Sequence, residues 1–377
     1  MANSRLSSRV PDLHASPIRE ILSIIDVPGM VSFAGGLPAA ETFPDMPVET
    51  VPRAYLQYGP TEGDATLRAY IAEDLGTIGL RCSPEQVLIL SGSQQGIDLV
   101  AKLFVDSGTP VAVESPTYLA ALQVFRFFGA QFMPFRADAP DKSWATNAPA
   151  LAYTIPTFQN PTGRCYSADE RDAVARACDR HAVPLFEDDP YRDLVYDACE
   201  RSPICGRLER ASWIYQGSFS KTLAPGLRLG FLVSSPDLSV YLSRLKQAAD
   251  LHSNRLSQWL VLQQLRSPGR TERLESVVSL YRRRRDYFAE ALLRHLAPVA
   301  TWDVPPGGLF YWLRLNNRTR DTRALLLEAI SHRVAFMPGE PFFPDNTGSC
   351  GTLRLNFSHA AEADIERGLA TLARLLR

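Results

Sequence analysis

Between residues 87 and 233 the chain alternates short apolar runs with helical patterns, and this alternation leaves few folds open to it. The apolar runs fall at 87–90, 111–113, 131–135, 151–155, 184–186 and 213–215, and helical segments at 94–104, 118–128 and 168–181 lie between most of them. Strands that alternate with helices need crossover connections, which build a mostly parallel sheet covered by helices. The expected class is therefore α/β, with a three-layer αβα large domain. A chain of 377 residues exceeds what one hydrophobic core usually serves, so a smaller second domain is expected. The later pattern supplies it: a long helix over 274–296, a strand over 306–313, a helix over 321–332, strands at 334–337 and 353–357, and a closing helix from Ala361. The expected division is an N-terminal arm with part of the small domain (1–45), a large domain (46–272) and a C-terminal small α+β domain (273–377).

Open parallel sheets bind ligands just beyond the carboxyl ends of their strands, so those ends are where chemistry is sought. After 87–90 comes Ser91-Gly92-Ser93-Gln94-Gln95-Gly96, the opening of a helix whose free N–H groups and dipole suit a phosphate. Simple N-capping by Ser93 explains the same residues. After 151–155 a turn-rich loop presents Asn160, and after 184–186 come Glu187, Asp188 and Asp189, then Tyr191. Adjacent carboxylates at a buried strand end repel one another and need partners. After 213–215 the chain reads Ser218-Phe219-Ser220-Lys221, with Arg228 seven residues beyond the lysine. A lysine that reacts with a carbonyl needs burial or nearby positive charge to lower its pKa, and Arg228 offers both that charge and a fork for a phosphate. A surface turn with an ordinary lysine is the plain alternative for that segment taken alone.

The remaining composition narrows the partners. A formal net charge of −1 gives no reason to expect nucleic acid or a membrane surface. The six cysteines, Cys82, Cys165, Cys178, Cys199, Cys205 and Cys350, form no CxxC pair and read as reduced thiols of a cytoplasmic protein, with no metal site. The leader has no apolar core for a signal peptide. Arg282 to Arg285 occupy adjacent helix positions that point in different directions, so the run reads as a solvated, salt-bridged face.

The strand-end residues together suit pyridoxal 5′-phosphate, a cofactor whose ring is an electron sink that the protein orients and tunes. Asp188 is placed to keep the ring nitrogen protonated, Asn160 and Tyr191 to donate to its phenolate oxygen, and Tyr118 to stack on the ring face. Asn160 as a turn residue, Tyr118 as core packing and Tyr191 as a half-buried phenol are the plain readings.

The motifs YGPTEG (58–63), SGSQQ (91–95), YTIPTFQNPTG (153–163), EDDPY (187–191), GSFSKTLAPGLRL (217–229) and TLRLNFS (352–358) occur in an order that resembles the class I/II, fold type I pyridoxal-phosphate aminotransferases. Within them the likeness is to the 2-aminoadipate and kynurenine aminotransferase-like group, from about residue 15 onward. The resemblance implies a homodimer that moves an amino group from an L-amino acid to a 2-oxo acid, with Lys221 as the Schiff-base lysine and proton shuttle. It implies Asp188 at the ring nitrogen and Asn160 and Tyr191 at the phenolate oxygen. Ser93, Gln94, Ser218, Ser220 and Arg228 would form the phosphate cup, joined by Tyr58 from the second subunit. Arg354 would grip the substrate carboxylate. Gly36, Arg19, Leu22, Phe33 and Phe343 are candidates around the substrate, and Arg19, in an amphipathic stretch over 18–25, would favour acidic donors. Glutamate and 2-oxoglutarate are the expected partners on one side, with 2-aminoadipate, aromatic or branched-chain amino acids on the other. Two alternatives stay open: β-elimination or decarboxylation at the same site, and a regulatory domain of aminotransferase fold, which needs a DNA-binding domain where only about fifteen residues precede the likeness.

Overall fold

A computed structural model describes residues 6, 7, 9, 10, 28–345 and 350–377. Its centre is a seven-stranded sheet. The strands, in chain order, are β2 (Val87–Leu90), β3 (Pro110–Glu114), β4 (Gln131–Phe135), β5 (Leu151–Thr154), β6 (Leu185–Asp188), β7 (Trp213–Ser218) and β8 (Gly230–Ser234). Across the sheet they run β2-β8-β7-β6-β5-β3-β4, and β8 alone is antiparallel to its neighbours. Alternate residues of these strands feed two separate cores. Val111, Val113, Phe186 and Ile214 face one helical layer, while Ala112, Leu185, Tyr215 and Val233 face the other. Burial on both faces is why the runs of the inner strands are mostly apolar, while the edge strand β4 is partly exposed.

The strand order reverses between β3 and β5, with β4 laid outside β3 and β6 beyond β5. Such a reversal opens a crevice at the carboxyl ends. Helices α1 (Ala65–Thr77), α2 (Ser93–Phe104), α3 (Leu119–Phe127) and α4 (Ala168–His181) connect the strands, and α5 (Pro236–Asp250) and α6 (Arg255–Arg266) follow β8. Helix α4 begins with a capping box in which Ser167 and Glu170 satisfy each other's backbone N–H. In its first turn Arg171 reaches back to Pro156 O and Thr157 Oγ1, both at 3.0 Å, and so braces the loop that carries Asn160.

Helix α7 (Arg270–His295) runs on to a second sheet, antiparallel, of β9 (Ala300–Trp302), β10 (Phe310–Leu315), β12 (Met337–Pro338) and β13 (Thr352–Asn356), ordered β12-β13-β10-β9. Helices α8 (Thr322–Ser331) and α9 (Glu362–Leu375) pack with it. The run expected as one strand over 334–337 is two: β11 (Val334–Ala335) pairs with β1 (Val31–Ser32), and β12 joins the four-stranded sheet. Two placements correct the sequence reading. Arg285 is buried, bonding Asp197 and Pro305 O, so the arginine run is not wholly solvated. Phe33 is fully buried edge-on to Phe288 of α7 and fills core, because the backbone that follows β1 carries it inward.

Candidate active site

Beyond the carboxyl ends of β5, β6 and β7 lies a cavity of about 160 Å³. It brings together Ser93, Gln94, Tyr118, Asn160, Asp188, Tyr191, Ser218, Ser220, Lys221 and Arg228, each singled out from the sequence. Lys221 stands in the turn after β7, where Arg273 Nη1 donates to Thr222 O at 2.7 Å and Ser220 N donates to Ser218 Oγ at 3.2 Å. Its Nζ donates to Gly36 O at 2.9 Å and lies 5.8 Å from the centre of the Tyr191 ring. Burial, then Arg354, then Arg228, bring its pKa down to about 8. An amine so placed is neutral in a useful fraction near physiological pH.

Asp188, the last residue of β6, is buried and held from two sides. Tyr153 OH donates to Oδ2 at 2.9 Å and Gln216 Nε2 to Oδ1 at 2.8 Å. Burial still outweighs those bonds and pushes the carboxyl up to about 6. A buried carboxylate with no cationic partner in direct contact suits a ligand that arrives carrying positive charge. Its neighbours are spent otherwise: Glu187 accepts from Cys205 N, and Asp189 accepts from Tyr215 OH and Arg192.

The phosphate end is a cradle of backbone. Gly92 caps α2 with φ +83°, and a Cβ there would sit 2.6 Å from Arg228 Nη2. Arg228 itself adopts φ +47°, which turns its guanidinium onto the helix start. Ser93 is the first residue of α2 and makes no side-chain cap, so N-capping does not account for it. The residues present thus fit a phosphorylated, cationic ring: an anion seat at a helix start at one end and an unneutralised carboxylate at the other.

Tyr118 caps α3 from the cavity wall, and burial, then Asp188, push its hydroxyl up to about 12. Burial likewise pushes Tyr191 up, with Asn160 hydrogen-bonded to its oxygen. Across the cavity, Arg354 of β13 is buried; Nη1 donates to Asn160 Oδ1 at 2.8 Å and Nη2 to Ala34 O at 2.7 Å. Its guanidinium carbon lies 4.0 Å from the Phe310 ring centre and 5.1 Å from that of Phe342, and Nε has no hydrogen-bond partner among the described residues. Phe343 is buried against Trp312. Tyr58 is not in the cavity: it is 76% exposed, edge-on to His252, in a segment pinned by Arg255. Arg19 and Leu22 lie outside the described residues. Tyr153 and Gln216, which hold Asp188, were not singled out; Tyr153 lies inside a matching motif, whereas Gln216 shows only as a polar residue in an apolar run.

The family model for aminotransferase class I and II matches residues 38–372. The chain belongs to that family. The aminotransferase is 39% identical to the 2-aminoadipate transaminase of Thermus thermophilus, over 97% of this chain and 94% of that one. Among solved structures it superposes on an α-aminoadipate aminotransferase of Thermus thermophilus, complexed with N-(5′-phosphopyridoxyl)-L-leucine, with TM-score 0.87 and 38% identity over 98% of this chain and 97% of that one. It also superposes on the kynurenine aminotransferase of Pyrococcus horikoshii, with TM-score 0.91 and 32% identity over 99% and 96%. The aminotransferase is a pyridoxal-phosphate enzyme of fold type I that transfers amino groups.

Proposed function

We propose that the enzyme exchanges an amino group between an L-amino acid and a 2-oxo acid, with glutamate and 2-oxoglutarate as one pair and 2-aminoadipate, an aromatic or a branched-chain amino acid as the other donor. The observation that carries the reading is a lysine amine of lowered pKa in one cavity with a buried carboxylate held only by neutral donors and an arginine at a helix start. Named relatives acting on 2-aminoadipate, aromatic amino acids and kynurenine support the donor range.

When bound, pyridoxal phosphate supplies an aldehyde and a ring that withdraws electrons from the substrate α-carbon. Lys221 would hold the aldehyde by its amine, and its neutral Nζ, once free, would take the substrate's α-proton and deliver it again from the side on which the lysine stands. Asp188 would keep a proton on the ring nitrogen by its negative charge. Asn160 and Tyr191 would donate at the ring oxygen, Tyr118 would cover the ring, and Ser93, Gln94, Ser218, Ser220 and Arg228 would hold the phosphate. Arg354 takes the substrate carboxylate through its planar fork, beside Asn160 and the backbone at Gly36. Arg19, which lies outside the described residues, is the candidate for an acidic substrate side chain. The active form is a cytoplasmic homodimer in which Tyr58 serves the partner's phosphate, and the domains divide at 45/46 and 272/273. No described helix is long and apolar enough to cross a membrane.

The test is a coupled assay that follows glutamate formed from 2-oxoglutarate with each amino acid in turn. Lys221→Ala is expected to bind the cofactor yet transfer at least about 10³-fold more slowly, the range lost with an acid–base group. Transfer at the wild-type rate removes Lys221 from its role, and no transfer from any donor removes the substrate range.

A further inference from the structure

Cys165 and Cys199 are the sulfur pair that the transfer reaction does not use. Cys165 lies on the returning arm of the loop that carries Asn160, where Gln159 N donates to Arg164 O and Tyr166 N to Pro156 O, both at 2.8 Å. Arg171 Nη2 donates to its sulfur at 3.6 Å, and the Phe158 N–H and the Cys199 thiol face the same atom. As a thiol it donates to Glu200 O at 3.0 Å, which ties it to the residue after Cys199. Both sulfurs are partly exposed and pack against the same core edge. Elsewhere the thiols lack this setting: Cys178 and Cys205 are buried, and burial pushes Cys82 up to about 11.

We infer that Cys165 and Cys199 are an oxidation site, a dithiol that a hydroperoxide converts to a disulfide, and that the new bond displaces the loop bearing Asn160. The donors make Cys165 the attacking sulfur; the Cys199 hydrogen bond, then Arg171, bring it down to about 7, and the same pairing pushes Cys199 up. The Cys165 thiolate attacks the peroxide, an S–O bond forms, the O–O bond breaks, and the leaving oxygen takes a proton. Cys199 then loses its proton and attacks the Cys165 sulfur; an S–S bond forms and the S–O bond breaks, releasing water. Two electrons leave the thiols and reduce one hydroperoxide.

The consequence reaches the site through named contacts. A sulfur pulled toward Cys199 gives up the Phe158 N–H and the Arg171 guanidinium, which also bonds Pro156 O and Thr157 Oγ1. Phe158 sits at φ +52°, two residues before Asn160, whose Oδ1 holds Arg354. The substrate-carboxylate fork therefore loses its support, and this effect on activity rests on the function proposed above.

The experiment treats the holoenzyme with hydrogen peroxide, blocks free thiols with iodoacetamide, and maps tryptic peptides without reduction. The expected result is a peptide containing Cys165 linked to one containing Cys199, formed faster than any oxidation at exposed Cys350. Activity falls in step and returns with dithiothreitol. Cys199→Ser keeps its basal activity and accumulates a sulfenic acid on Cys165 that dimedone traps; Cys165→Ser loses no activity to peroxide. Absence of the linked peptide, or oxidation of Cys350 ahead of it, overturns the site. A linked peptide with kcat/KM unchanged overturns the coupling to Asn160. Because the linkage is read by mass alone, its failure is distinct from failure of the aminotransferase reading.

Discussion

Asp188 shows at the scale of one residue how a site is built against stability. A free aspartate titrates at 3.8 and this one near 6, so between those values the folded chain holds a proton that the unfolded chain has released. Cofactor-free stability therefore falls as pH rises through that window, and the whole cost is present above about 6. It is on the order of 2–3 kcal/mol. An amide in its place carries no charge, and the buried, unpartnered Oε1 of Gln216 is at hand to accept from it once the Gln216 amide turns. Asp188→Asn should thus melt higher than wild type at neutral pH in the cofactor-free form, with the difference closing as pH falls toward about 4. Amino transfer should drop by about two to three orders of magnitude, since the ring nitrogen loses its charge partner. Calorimetry of both cofactor-free proteins across pH decides it: a lower melting temperature at neutral pH, or a difference that ignores pH, means the carboxylate is not the strained group.

At the scale of elements, the start of α2 is held by a helix that the sequence reading passed over. Lys246 of α5 is buried and donates to Gln95 Oε1, Asp250 Oδ1 and Ser253 Oγ at 2.9–3.0 Å. Gln95 Oε1 also accepts from Ser91 N, and Ser91 Oγ and Gln95 Nε2 both donate to Asp250 Oδ2. The turn that presents Ser93 and Gln94 is therefore clamped to the end of α5. Lys246→Met leaves the solvent-facing Asp250 without its cation, which costs on the order of 1 kcal/mol. Pyridoxal phosphate and free inorganic phosphate should both dissociate more readily from this variant, while the pH midpoint for capture of the aldehyde by Lys221 stays near about 8. Titration of the two ligands by fluorescence checks it, and unchanged affinity for phosphate would falsify the clamp. The contrast marks what could be read in advance. Strands, crossover helices and the polar residue after each strand repeat with a local period, and they lie where the pattern put them. Gln216 and Arg285 act through partners far along the chain, and the i,i+4 spacing of Lys246 and Asp250 does not distinguish a buried lysine from a solvated one. Phe33 was misjudged for the same reason, because only the pairing of β1 with β11 decides which way it points.

At the scale of the whole molecule, two segments that meet at Tyr58 and His252 leave apolar side chains uncovered. Val48, Leu56 and Tyr58 are 60%, 71% and 76% exposed, and Leu251 and Leu256, on either side of the His252 that Tyr58 touches, are exposed as well. Exposed apolar side chains on adjoining segments suit an interaction surface. If a second copy covers it and Tyr58 reaches that copy's phosphate, then each active site draws on two chains. Complementation separates this arrangement from a dimer of self-sufficient sites. Lys221→Ala lacks the amine but offers an intact Tyr58; Tyr58→Ala lacks the phenol but keeps Lys221. Dimers reassembled from both variants contain one site with every group, built from the lysine of one chain and the tyrosine of the other. Mixing after mild dissociation should raise transfer activity and cofactor affinity above the mean of the two parents. Activity that stays at that mean assigns Tyr58 to its own chain, or to no site at all.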